Sequence, residues 1–206
     1  MTINQETNLL DAGAVVEAVA EGGLLLLSDP KRRNAIQILT GTFPRGSWWS
    51  HPDANRIYEL LQEVEAHDDL LSTKLLSGKV TFVHRRLWPA LLSVVAADPR
   101  EPWQTDGLTP GAAQWLATLD EAASTGAEIA QPSRTVAKEI EARLLARGES
   151  VHTAQGRHET RLEPWKTWAV RAGAPWPPAL SSAEGKRVLE EAAGKLGPPA
   201  PAFPWG

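Results

Sequence analysis

The chain has 206 residues, no cysteine and a formal net charge of −4. That length builds one large domain or two small ones around ample apolar core. Without cysteine there are no disulfides and no thiolate metal sites, so a reducing, bacterial-type cytoplasm is the expected setting, and the acidic balance argues mildly against a surface made wholly for nucleic acid. Gly13–Leu27 is interrupted by Glu17, Glu21 and a glycine pair, and Pro89–Ala97 is too short to span a bilayer. Met1–Asn8 lacks the basic-then-apolar pattern of a secretory leader. A cytoplasmic protein with no membrane partner is expected.

In chain order, Asp11–Ala20 reads as a helix, and Leu24–Leu27 as a short strand or the end of that helix. Pro30–Gly46 is basic, then apolar, then turn-rich. Ser50, Pro52 and Asp53 form a helix start in which Ser50 caps, and Ala54, Ile57, Leu60, Leu61 and Val64 recur at helical period. Leu70–Leu76 and Lys79–Arg85 flank the turn Ser77–Gly78 and predict a hairpin, followed by a helix over Pro89–Ala97. Residues 1–98 therefore read as an N-terminal α+β unit, and Asp98–Pro110 as a connector.

Pro110–Ala123 predicts a helix, Ser124–Gly126 a turn and Ala127–Ala130 a short second helix. Ser133 then caps a third, in which Val136, Ile140 and Leu144 share one face, with Gly148 as its terminator. Glu149–Gln155 and Arg157–Leu162 form a polar hairpin around Gly156, and Leu162–Ala172 closes the module. Helix, turn, short helix, longer helix, hairpin is the order of a winged helix, which presents one helix to the DNA major groove. Residues 110–172 are thus expected to form a winged-helix-like module, and 173–206 a helix at Ser182–Leu196 with a loose Pro-rich tail on which Phe203 and Trp205 can dock. The fold class is α+β, mostly α, with small antiparallel hairpins.

Charge is unevenly placed. Residues 1–132 carry ten Lys and Arg against seventeen Asp and Glu, a balance of −7. Residues 133–171 carry eight against five, +3, and the remainder is neutral. The expected DNA-contacting set is Ser133, Arg134, Thr135, Lys138, Arg143 and Arg147 on the helix, with Gln155, Arg157, His158 and Arg161 on the hairpin. Cations meet phosphates, and the first helical turn approaches base edges. An alternative without DNA is a protein-interaction module, in which Glu139 and Glu141 neutralise the exposed face of the helix.

Other groups carry weaker signals. His152 and His158 sit on opposite sides of the hairpin, but no carboxylate stands at ligand spacing, so no metal and no cofactor is expected. His84, Arg85 and Arg86 either bind a phosphate or end a strand. The nine tryptophans are scattered and read mostly as packing residues, with base stacking open to the adjacent pair Trp48 and Trp49. There is no phosphate loop, HExxH helix or nucleophile elbow.

Ala142–Glu149 (Ala-Arg-Leu-Leu-Ala-Arg-Gly-Glu), the basic hairpin and Leu162–Trp165 (Leu-Glu-Pro-Trp) resemble the winged-helix region of the AlkZ-like proteins, over roughly a quarter of the chain. That group includes bacterial DNA glycosylases acting on alkylated or crosslinked bases, and related proteins without an assigned role. The resemblance implies DNA binding linked to repair, and, as an alternative, glycosylase activity. Those glycosylases orient water with Gln-x-Gln or Gln-x-Asp. Here Gln37–Leu39 keeps only the Gln, and Gln104–Asp106 keeps both polar residues but lies in the connector. A glycosylase must also extrude its base into a pocket, for which Trp48 or Trp49 would need to lie beside one of these pairs.

Overall fold

The carboxylate of Asp11 accepts the Ala14 amide at 3.0 Å and caps α1 (Ala12–Gly22), satisfying one of the donors that a helix start leaves unpaired. The structure is a computed structural model, and it describes residues 11–43, 45–125, 130–152 and 158–206. Helix α1 stops at Gly23, where φ is +87° and a Cβ would meet Leu87 at 2.9 Å. The guanidinium of Arg86 donates to the carbonyls of Ala20 and Glu21 at this helix end, where cations are favoured.

Next come β1 (Leu24–Leu26), α2 (Ala35–Thr40), α3 (Ala54–Glu65), β2 (Leu70–Leu76) and β3 (Lys79–His84). Asn34 caps α2 through the Gln37 amide at 3.0 Å. Asp53, not Ser50, holds the N-cap position of α3. Trp48–Ser50 forms a single 3-10 turn, and the Asp53 amide donates to His51 Nδ1 at 3.1 Å. The strands form an antiparallel sheet in the order β1-β3-β2, pairing Leu24 with Val83 and Leu71 with Val83. Ser77 and Gly78 both have positive φ, 51° and 66°, the geometry of a tight hairpin turn matched to strand twist. Residues Arg85–Leu87 form a 3-10 turn that leads into α4 (Trp88–Val95).

The second half contains α5 (Pro102–Thr105), α6 (Pro110–Thr125), α7 (Arg134–Ala142), the antiparallel pair β4 (Arg147–His152) and β5 (His158–Glu163), α8 (Trp165–Arg171) and α9 (Ser182–Gly194). The fold is α+β, largely helical, with small antiparallel sheets. Helix α7 ends at Ala142, well before Gly148. Leu144 adopts φ +50°, and Leu144, Leu145 and Ala146 are all buried. Burying three successive side chains is incompatible with continuing a one-faced helix, so the chain turns there and Gly148 lies inside β4. The short helix expected at Ala127–Ala130 falls almost wholly outside the described residues, as does the hairpin tip, residues 153–157.

Alternation along the first sheet sends Leu24, Leu26, Leu71 and Val83 to one face and Leu25, Leu70 and Phe82 to the other. The second set packs under α1, α2 and α3. The first set joins α4, Leu144, Trp165 and Trp168 of α8, and Leu189 of α9 in one continuous core. A third cluster unites α6, α7 and Leu162 of β5. The indole N–H groups of Trp88 and Trp165 donate to the carbonyls of Val83 and Leu144 at 3.2 and 2.8 Å, so these large buried rings leave no orphan donor.

The C-terminal tail is docked. The Ser77 amide donates to the Ala202 carbonyl at 2.7 Å, and the Ala202 amide returns to Ser77 Oγ at 3.2 Å. Phe203 and Trp205 stack at 4.5 Å, and the Trp205 indole donates to Glu190 at 2.8 Å. Asp29 ties the same region together. Its Oδ1 accepts the amides of Lys31 and Arg32 at 2.9 Å each, its Oδ2 meets Lys79 at 2.7 Å, and Arg32 donates onward to the Pro199 carbonyl at 2.6 Å.

Candidate nucleic-acid interface

Helix α7 is built to show one face. Ser133 Oγ accepts the Val136 amide at 3.5 Å. Ala137 and Ile140 turn inward against α6 and β5, and Glu141 is buried toward β2 and β4. Arg134, Thr135 and Lys138 are exposed. Arg134 and Lys138 stand one helical turn apart on the same side, and among the described residues neither has a hydrogen-bond or ion-pair partner.

Both acids of this helix are engaged elsewhere. Glu139 accepts the amide and hydroxyl of Thr109 at 2.9 and 2.6 Å, just ahead of α6, and those hydrogen bonds hold its carboxyl below the usual range. Glu141 is buried and ion-pairs with Lys74 of β2, joining the two halves of the protein. Neither carboxylate neutralises Arg134 or Lys138.

The remaining expected contacts divide. Arg143 is half-buried and donates to the Trp103 carbonyl at 2.5 Å. Arg147 has only 11% of its side chain exposed and lies 3.4 Å from Glu163, which also pairs with Arg171 at 2.7 Å. Arg143 and Arg147 therefore serve internal contacts and leave the expected DNA-facing set. Arg161 is exposed, but strand alternation sets it on the hairpin face opposite buried Leu162, paired in register with Glu149, and so away from the α7 surface. Gln155 and Arg157 lie outside the described residues. His158 pairs with His152 in backbone register.

The groups considered for catalysis do not converge. Gln104 is fully buried, and its Oε1 accepts the Glu101 amide at 3.0 Å in a reciprocal cap of α5. Asp106 is exposed just after that helix. Neither residue, nor Gln37, lines the cleft beside Trp48. The basic triplet that ends β3, His84 to Arg86, is structural. Arg85 pairs with Asp69 at 2.9 Å, Arg86 closes α1, and His84 Nδ1 accepts the Arg86 amide at 3.3 Å. Among the described residues no three His, Asp or Glu side chains gather to hold a metal, and no helix is long and apolar enough to cross a membrane.

Sequence reasoning missed two features. The sequence pattern places Glu141 on the exposed face of the helix, and only the packing of α7 on β2 reveals it as buried. Gln131 has no periodic signal, yet it brackets Leu162 like a strand neighbour, accepting its amide at 2.7 Å and donating to its carbonyl at 3.3 Å. In comparisons with protein-family models, curated proteins and solved structures, nothing matches this chain.

Proposed function

We propose that this chain is a cytoplasmic winged-helix protein that binds duplex DNA through the exposed face of α7, with a role linked to DNA repair as in the AlkZ-like group that part of its sequence resembles. Two features of chain order support this. Helix α1, strand β1, helices α2 and α3 and the β2–β3 hairpin follow the winged-helix order, with the sheet order β1-β3-β2. Helices α6 and α7 and the β4–β5 hairpin repeat the helix–helix–hairpin part of it.

The two candidate recognition helices differ in charge. On α3, Arg56 is paired with Glu59 at 2.9 Å and with Glu63 at 3.7 Å, so its exposed side is acidic and disfavours a phosphate backbone. On α7 the two exposed cations have no ion-pair partner among the described residues, and that single observation carries the proposal. Were the module a protein-contact device alone, Glu139 and Glu141 would be expected to neutralise this face, and both are held elsewhere. DNA binding is favoured over glycosylase chemistry, since Gln104 caps α5 and none of Gln104, Asp106 and Gln37 lines the cleft beside Trp48.

The test is fluorescence anisotropy with a short labelled duplex over a salt series. Arg134→Ala with Lys138→Ala should flatten the slope of log affinity against log salt by about 1.8, at roughly 0.9 per lost phosphate contact. Arg56→Ala on α3 should leave it unchanged. An unaltered slope in the α7 double variant would overturn the assignment.

A further inference from the structure

Among the described residues the exposed large apolar side chains are Phe43, Trp49 and Val170, and two of these three fall in the connection between α2 and α3. Phe43 is 45% and Trp49 51% exposed, although aromatic rings of this size are normally withdrawn from water. The same connection forms a cleft of about 330 Å³ between the end of α2 and the 3-10 turn, lined by Phe43, Arg45, Ser47, Trp48 and His51 together with the last turn of α2. Trp48 is anchored on the N-terminal core and backed by Trp49, stacked at 4.1 Å, which in turn lies 5.5 Å from Tyr58 of α3.

We propose that this cleft takes one unpaired nucleobase of a single strand, stacked against Trp48 and Phe43, with the adjoining phosphate on Arg45. The polar lining fits an anion. Among the described residues its lining carries one formal charge, that of Arg45, which has no partner there, and no carboxylate. The Ser47 hydroxyl is likewise unpartnered among the described residues. His51 Nδ1 accepts the Asp53 amide, which leaves Nε2 as its remaining polar atom. The cavity volume lies at the lower end of the range for small-ligand sites. Backed aromatic faces beside a cation are the usual means of holding a base without reading its sequence. The chain's own apolar tail is not the occupant, because it is docked at Ser77 and Glu190. The acids on neighbouring α3, Glu59 and Glu63, oppose a continuous run of phosphates, which favours a single nucleotide over a tracked strand.

The site depends on the nucleic-acid reading for its ligand class alone and uses a surface separate from α7. The 206-residue chain is titrated with labelled oligothymidylate and with an abasic strand of equal length. Oligothymidylate should bind about 5- to 150-fold more tightly, the range that stacking one base supplies. Phe43→Ala, at an exposed position outside the core, should close that gap, Arg45→Glu should weaken both strands, and Arg134→Ala with Lys138→Ala should leave the gap intact. Equal binding of the two strands, binding of neither, or a gap that survives Phe43→Ala would overturn the proposal. Duplex binding that persists without the gap removes the cleft alone, and a gap that persists without salt-dependent duplex binding removes the α7 assignment alone.

Discussion

Asp29→Asn is the perturbation whose size follows most directly from the structure. Asp29 is 2% exposed and joins the loop before α2, the start of β3 and, through Arg32, the C-terminal tail. Burial pushes its carboxyl up, but the Lys79 ammonium and the amides of Lys31 and Arg32 outweigh burial and bring it down from 3.8 to about 2. The folded value is below the unfolded one, so the stabilisation is present in full well above pH 3.8 and is lost as pH falls through about 2. At 1.36 kcal/mol per unit, the shift corresponds to about 2.5 kcal/mol at neutral pH, with about half of it left at pH 3. Urea unfolding of the wild type and the variant at matched pH isolates this one group, since the other carboxylates titrate in both proteins. Asp29→Asn should be about 2.5 kcal/mol less stable at pH 7, with the difference shrinking steadily toward pH 2. A difference that stays constant with pH would show that the network contributes by packing and hydrogen bonding, not by charge.

Two glycines give further checks. A Cβ at Gly148 would lie 2.5 Å from Glu141 Oε1, which is held in place by Lys74. Gly148→Ala should destabilise by about 1–3 kcal/mol, and its effect should shrink when Glu141→Ala is already present; strict additivity in that double-mutant cycle would argue against the contact. A Cβ at Gly185 of α9 would lie 2.0 Å from Ser93 Oγ and 2.5 Å from the Ala90 carbonyl of α4. Alanine is the better helix former by about 1 kcal/mol, yet Gly185→Ala should lower Tm because a backbone carbonyl cannot swing aside, and a raised Tm would mean that α4 and α9 pack less closely than described.

Much of the N-terminal half was legible because its signals are local. Alternating residues and the Ser77–Gly78 turn mark β2 and β3, and Ile57, Leu60, Leu61 and Val64 mark the buried side of α3. That β1 would join them in a sheet buried on both faces was not legible, because its three leucines fit a helix end equally well. The end of α7 was misplaced because the burial of Leu144, Leu145 and Ala146 is decided by two separate cores. Sequence also located the basic segment without dividing it. Arg134 and Arg147 are the same residue type, and only packing gives Arg147 to Glu163 and leaves Arg134 facing water. Phe203 and Trp205 marked the tail as able to dock, whereas its hydrogen bonds with Ser77 at the β2–β3 turn have no signature in side-chain pattern.

The central claim is that α7 meets a duplex through Arg134 and Lys138, which have no ion-pair partner among the described residues. Its most direct test is the salt dependence of wild-type binding to undamaged duplex DNA. Two phosphate contacts, from Arg134 and Lys138, predict a slope of log affinity against log salt near −1.8 or steeper. Absence of binding at low salt, or binding with no salt dependence, would contradict it.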